Sequence, residues 1–246
     1  MATRTSSPPA PGDAEASDRE VLIRDALAGS RFDPPYTLGG SAFLALGYWR
    51  QDAPVTPPPG FAPVKLLGRQ LGIVVGSSFD EPPAELPIRY REVIAAIVVR
   101  HGASLRSMPF DMLLDEAAPV TLGRMHYGLP KRLDPSMFVS IDEARLHASG
   151  ADMAIAGHAH GRAARALTLP LRMMMTVGVR LLTRRIEVLG TADGPARKAK
   201  IALTPRGAGR SFGDVSITFG STDLESLWCQ SWSFTSTWLG PPRTAG

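Results

Sequence analysis

Residues 113–133 read LLDEAAPVTLGRMHYGLPKRL, and the reading of the whole chain turns on the lysine near the end of that stretch. Lys131 follows Pro130, which fixes the local backbone, and precedes Arg132, a permanent cation; Leu129 and Leu133 on either side are apolar. A neutral lysine amine attacks a ketone or aldehyde to give an imine. The protonated imine then accepts an electron pair from a neighbouring carbon, whether that pair is released by decarboxylation, by C–C cleavage or by loss of an α-proton. An ordinary lysine, with a pKa of about 10.4, is almost wholly protonated at neutral pH and is a poor nucleophile. Burial among apolar side chains disfavours the charged form, and a neighbouring cation adds to the effect. Both are available here in principle. Successive strand residues point to opposite faces, however, so Arg132 would face away from Lys131 in a strand and leave desolvation as the larger effect.

Outward from this stretch, short apolar runs are broken by Gly, Pro, Asp and Ser. They cover residues 42–48, 71–75, 93–99, 111–114, 138–141, 151–156, 186–189, 200–203 and 214–219. Each has the length of a strand, and most carry β-branched or aromatic residues. Prolines at 57–59 and 82–83 break the pattern and belong to loops. Residues 167–182 are longer and apolar, with Met173, Met174 and Met175 in the middle; Pro170 and Gly178 argue for two strands, the length permits a helix, and the methionines read as core or pocket fillers. Many short strands with few clear helices predict an α+β chain that is mostly antiparallel β, closed into a β-barrel or cone with a few peripheral helices. Residues 1–16, rich in Ser, Pro, Ala and Gly, read as a mobile tail. Residues 17–30 read as a helical arm, with Ser17 as N-cap and Glu20 as its capping-box partner. One domain is expected over 31–246.

Gly123-Arg124 followed by Pro130-Lys131, with Tyr90-Arg91-Glu92 upstream, resembles the acetoacetate decarboxylase-like superfamily. In that superfamily an acidic strand end leads into Gly-Arg-Glu, a short linker and Pro-Lys-Lys-Leu, and a Tyr-x-Glu segment precedes it at a similar distance. The resemblance runs from about residue 36 to at least 146. It implies a β-barrel or cone, a Schiff-base lysine at Lys131 and an active-site glutamate at Glu92, able to move protons or stabilise the iminium. It also implies an electrostatic helper at Arg132, where the superfamily has a second lysine, and a homo-oligomer. Tyr90 stands at the motif tyrosine. Arg124 reads first as structural, with a grip on a substrate carboxylate as the other reading. His126 and Tyr127, five and four residues before Lys131, are candidates to line the site, the histidine as a proton shuttle.

The pattern also departs from the superfamily. Acetoacetate decarboxylases carry a further glutamate on the strand before Tyr-x-Glu and an arginine near the start of the fold. Here 71–79 contains no acid, Asp80 and Glu81 falling in an expected loop beyond it, and 36–43 contains no arginine. Small Gly76, Ser77 and Ser78 suggest a roomier and more neutral site. The leading reading is a lyase acting on a keto acid or related carbonyl compound, decarboxylase-like, with the lysine imine as electron sink and therefore no metal or organic cofactor. The alternatives are a non-decarboxylating aldolase, dehydratase or cyclase of secondary metabolism using the same lysine, and a non-catalytic ligand-binding protein of the same fold.

Other signals are weaker. The net charge of +4 comes from basic residues spread along the chain, with no stripe interleaved with aromatics, so no nucleic-acid partner is expected. No apolar run reaches the roughly 18 residues of a membrane span, and the N-terminus lacks a signal-peptide core, so a cytoplasmic protein is expected. The single cysteine, Cys229, reads as a packed core thiol. His158 and His160 could share a strand face, but no third ligand accompanies them and an exposed strand or turn is the better reading; no metal site is expected. Trp228, Trp232, Phe234 and Trp238 suit core packing, an oligomer contact or closure over an apolar substrate. Residues 206–209 read as a loop.

Overall fold

The computed structural model describes residues 36–51, 53, 55–84, 87–127, 129–160, 185–190, 197–238 and 243–244. The expected tail, the helical arm at 17–30 and the ambiguous run at 167–182 lie outside these residues. The chain runs β1 (Tyr36–Trp49), β2 (Ala62–Pro63), β3 (Lys65–Leu66), β4 (Arg69–Glu81), β5 (Tyr90–His101), β6 (Ser104–Leu114), α1 (Ala117–Tyr127), β7 (Lys131–Leu133) and β8 (Phe138–Ile141). It continues through β9 (Arg145–Gly150), β10 (Met153–Ala159), β11 (Arg185–Gly190), β12 (Arg197–Phe219), β13 (Thr222–Trp238) and β14 (Arg243–Thr244).

The strands join in the order β11-β6-β5-β4-β1-β13-β12-β10-β9-β8, and β11 also pairs with β12. The sheet therefore curls until β11 bridges β12 on one side and β6 on the other. β12 makes this possible by its length of 23 residues. Its first part pairs with β11, from Arg197 to Ala202, and its last part with β10, from Phe212 to Phe219. The predicted mostly antiparallel, curled β architecture is borne out, with one helix among the described residues.

The central strands are apolar on both sides because both sides are covered. On β1, Phe43, Ala45 and Trp49 join a cluster that includes Val139, Leu146, Ala148, Met153 and Ile155 of β8–β10. The alternate residues Leu38, Ala42 and Leu44 join a second cluster that includes Met112, Leu114, Trp232 and Phe234, together with Val120 of α1 and Leu129 beyond it. Two-residue alternation thus sorts each strand between two cores, which is why these segments appear in the sequence as continuous apolar runs.

Some expectations are corrected. Residues 206–209 are not a loop but part of β12, at a register shift between Arg206 and Arg210 that absorbs their glycines. Asp80 and Glu81 lie within β4. Residues Ala117–Tyr127, to which no element was assigned from sequence, form α1. The 200–203 and 214–219 runs are two parts of one strand. β13 is a full strand of 17 residues.

Cys229 is 1% exposed in the first core, and burial pushes its thiol up to about 12. The native protein should therefore give essentially no reaction with a thiol-titrating disulfide at pH 8 and one equivalent after denaturation in guanidinium. Rapid native labelling would contradict the packing described.

Candidate active site

β6, α1 and β7 form the unit that delivers the lysine. Parallel strands require a crossover, commonly a helix, and α1 supplies it, so that β7 runs parallel to β6 with Met112 opposite Lys131 and Leu114 opposite Leu133. Backbone hydrogen bonds hold the start of β7: Met112 N–H donates to the Pro130 carbonyl at 3.2 Å and Lys131 N–H to the Leu129 carbonyl at 2.8 Å. Leu129 N–H donates back to the Gly123 carbonyl at 3.2 Å, closing the end of α1. Pro119 falls in the first turn of the helix, where proline is tolerated.

Glu92 arrives on β5 by register. It pairs with Leu114 across β6 and with Ser77 across β4. Alternation then places Glu92, Leu114, Met112 and Lys131 on one face of the sheet, that of the second core. There the Lys131 Nζ donates to Glu92 Oε2 at 2.6 Å, with side chains only 5% and 6% exposed. Gly123 on α1 is what leaves room for the amine arm: a Cβ at this position would collide with Cδ and Cε of Lys131. The glycine of the sequence motif is thereby connected to the lysine eight residues later, because any side chain at 123 would force the lysine arm to move from its place beside Glu92.

Asp115 fixes the approach of Glu92. Its carboxylate accepts the Arg91 backbone N–H at 2.6 Å and the Arg91 guanidinium at 3.1 Å, tying the end of β6 to the start of β5. Tyr90, two residues before Glu92 and on the same face, stacks on Phe79 with ring centroids 4.5 Å apart. Burial first, then the charges of Glu92 and Asp115, push its phenol well above the ordinary tyrosine range, so it stays neutral and available as a hydrogen-bonding group. Phe79 in turn meets the edge of Phe234 of β13 at 5.6 Å.

The other expected site residues distribute differently. Arg132 does not serve as a cationic neighbour of Lys131. Its guanidinium grips Asp111 through Nε at 2.9 Å and Nη2 at 2.9 Å, and Asp152 through Nη1 at 3.0 Å. The hydrogen bond to Asp111 leads the effects that hold its proton more tightly than usual. Strand alternation, already visible in sequence, sends it to the face opposite Lys131. Arg124 is half-buried on α1. His126 and Tyr127 lie at the end of α1, and their side chains fall outside the described residues. His158 and His160 are both exposed at and just beyond the end of β10, and the described residues contain no cluster of metal-ligating side chains. Glu81 is exposed and held below the usual carboxylate range chiefly by its hydrogen bonds from Arg206, at 2.8 and 3.0 Å, well apart from the amine's partner set. Sequence reasoning missed the roles of Gly123, Met112 and Asp115. Of these, only Gly123 left a signal, a glycine inside the motif whose reason lay in a partner not yet placed.

A buried pair of this kind is costly to break from one side. Lys131→Met should lower stability by about 3–5 kcal/mol, because Glu92 is left buried without its partner. Adding Glu92→Leu should recover most of the loss. Urea unfolding of the two single variants and the double checks this, and a double variant as unstable as the sum of the singles would count against the pair as described.

No protein-family model matches the sequence, and no curated protein does. Among solved structures the fold is similar to acetoacetate decarboxylase from Legionella pneumophila, with TM-score 0.63 and 15% identity over 87% of this chain and 88% of that one. It is also similar to the enduracididine biosynthesis enzyme MppR complexed with the condensation product of pyruvate and imidazole 4-carboxaldehyde, with TM-score 0.60 and 13% identity over 86% and 89% of the two chains. An acetoacetate decarboxylase-like enzyme from Sphingomonas wittichii RW1 matches with TM-score 0.60 and 14% identity over 87% and 95%. The chain has the fold of the acetoacetate decarboxylase-like superfamily.

Proposed function

We propose that the protein is an enzyme that forms a Schiff base between Lys131 and the carbonyl carbon of a keto acid or related small carbonyl compound. The observation that carries the reading is the buried 2.6 Å contact between the Lys131 amine and Glu92. A carboxylate at that distance lies within proton-transfer reach of the nitrogen. It takes the proton that the amine must lose to attack. It can return a proton to the carbinolamine oxygen as water leaves, and it then stands beside the positive iminium. The apolar shell of Met112, Leu114, Val120 and Leu129 keeps water away from the reacting nitrogen. The imine itself is the electron sink, so this chemistry requires no metal or organic cofactor. Gly123 and Asp115 act as positioning residues, the first on the lysine and the second on the strand that carries Glu92.

Within imine chemistry, the lysine-facing side favours reactions other than expulsion of a carboxylate. Along β4 it presents Ile73, Val75, Ser77 and Phe79, and along β1 Leu38, Ala42 and Leu44. Residues 71–79 of β4 and 36–44 of β1 contain neither the extra acid nor the arginine that would shape a decarboxylation site, and Glu81 at the exposed end of β4 is held by Arg206. An aldolase, dehydratase or cyclase is therefore the second reading, and the MppR complex with a condensation product shows this fold hosting such a compound.

Incubation with pyruvate and borohydride should leave a reduced adduct on Lys131, seen by intact mass and peptide mapping. Lys131→Met should give none. Gly123→Ala should slow trapping by at least about tenfold, because misplacing a reacting group by a fraction of an ångström to one ångström is expensive. Arg132→Gln, whose guanidinium is engaged elsewhere, should still give the adduct. Carbon dioxide release from acetoacetate separates the two readings: its absence alongside efficient trapping favours the second. No adduct with any of a panel of small keto acids would mean a binding protein rather than this enzyme.

A further inference from the structure

We infer that the lysine-facing side of β13 is a recognition edge for a neutral hydrogen-bonding group carried by the substrate beyond its carbonyl. The inference rests on the imine reading for the position of the carbonyl, but on different residues for its own evidence. Gln230, Trp232 and Ser236 alternate along β13 on the face of the second core and are 2%, 4% and 4% exposed. Three of their polar atoms, Gln230 Oε1, Trp232 Nε1 and Ser236 Oγ, are buried without a hydrogen-bond partner. The orientation of Gln230 is fixed by its other amide atom, since Nε2 donates to Ser211 Oγ at 2.9 Å and leaves the oxygen free to accept. Buried polar groups are ordinarily paired, and leaving them unpaired costs stability. Three such atoms on one strand face mark a surface shaped for something that pairs with them.

Register connects this edge to the amine. Trp232 lies opposite Ala42, Ala42 opposite Ser77, and Ser77 opposite Glu92. At a strand spacing of about 4.8 Å the backbones of Trp232 and Glu92 are roughly 14 Å apart along the sheet. The two residues between them have small side chains, while Trp232 and Glu92 have long ones. A compound joined to Lys131 and extending over Ala42 and Ser77 therefore reaches β13. An N–H donor, a carbonyl acceptor and a hydroxyl carry no formal charge. Positions 228–236 on this face hold only Trp228, Gln230, Trp232, Phe234 and Ser236, with no cation to balance an anion. The complementary group is one that both donates and accepts, a hydroxyl or a carboxamide, rather than a carboxylate or phosphate.

Two pairs of 2-oxo acids test this at short and long reach: 4-hydroxy-2-oxopentanoate against 4-methyl-2-oxopentanoate, and 4-hydroxyphenylpyruvate against phenylpyruvate. Binding is read by calorimetry without borohydride, and imine formation separately by borohydride adduct mass. At least one hydroxyl compound should bind at least about tenfold more tightly than its apolar twin, because a site made to hydrogen-bond a hydroxyl discriminates against its absence. Trp232→Phe and Gln230→Met should remove most of that preference. Ser233→Ala, at an exposed position on the opposite face of the same strand, should retain it and controls for the strand's integrity. Equal binding of both pairs by the native protein, or a preference that survives both inward variants, overturns the inference. Adducts on Lys131 without discrimination refute this inference alone, and discrimination without adducts refutes the imine reading alone.

Discussion

A lysine and a glutamate 2.6 Å apart and almost wholly buried impose conditions on everything around them. Taking two ions out of water is expensive, and their attraction compensates only when the geometry is close to ideal. Neither residue can supply that geometry alone. Glu92 is placed by the antiparallel register of β5 between β4 and β6, and Lys131 by a three-residue strand that exists only because α1 carries the chain back parallel to β6. A slip of one residue in either pairing would turn one member of the pair to the other core. The Asp115 clamp on Arg91 and the absent side chain at Gly123 are the local devices that keep the two registers consistent.

The curled sheet provides the surroundings. Because every central strand is covered on both sides, it can devote one face to packing and admit polar groups on the other. The first core is apolar almost throughout, with Cys229 as an inert member. The second mixes aliphatic and aromatic side chains with Ser77, Glu92, Lys131, Gln230 and Ser236. Keeping the ion pair, Gln230 and Ser236 on one face confines their desolvation cost to the side where a ligand could recover it, while Gln70 and Ser231 are buried toward the first core.

How far the sequence spoke for itself follows from which partners are local. The strand interiors were legible because burial on both faces makes them continuous apolar runs. Lys131 and Glu92 were legible because a proline, a glycine and a Tyr-x-Glu segment hold a fixed relation along the chain. The helix α1 was not, since Ala117-Ala118-Pro119-Val120-Thr121-Leu122-Gly123 carries a proline and a glycine and shows no clear apolar stripe; its helicity follows from the need for a crossover between two parallel strands. β13 was obscured because Gln230 and Ser236 occupy inward positions, which breaks the alternation that marks a half-buried strand. β12 was divided by Pro205, Gly207 and Gly209, whose disruption a register shift absorbs once β13 is alongside.

Arg132 shows how neighbours in sequence can mislead about neighbours in space. A cation adjacent to a reactive lysine invites an electrostatic explanation, yet the pleat turns it to Asp111 and Asp152, where it braces β7 against β6 and the start of β10. The field at the amine is then set by what shares its own face: the Glu92 carboxylate, a neutral Tyr90 phenol and an apolar shell. Such an environment is suited to a charge that is created and consumed within the site, as an iminium is. It is poorly suited to a substrate that must retain an anion beside the sheet's neutral middle rows, where Ala42 and Ser77 lie between Trp232 and Glu92. On the proposed reading, the selectivity of the site follows from the same constraint as its reactivity. One ion pair already satisfies itself, and what the rest of that face offers a ligand is apolar contact and uncharged hydrogen bonds.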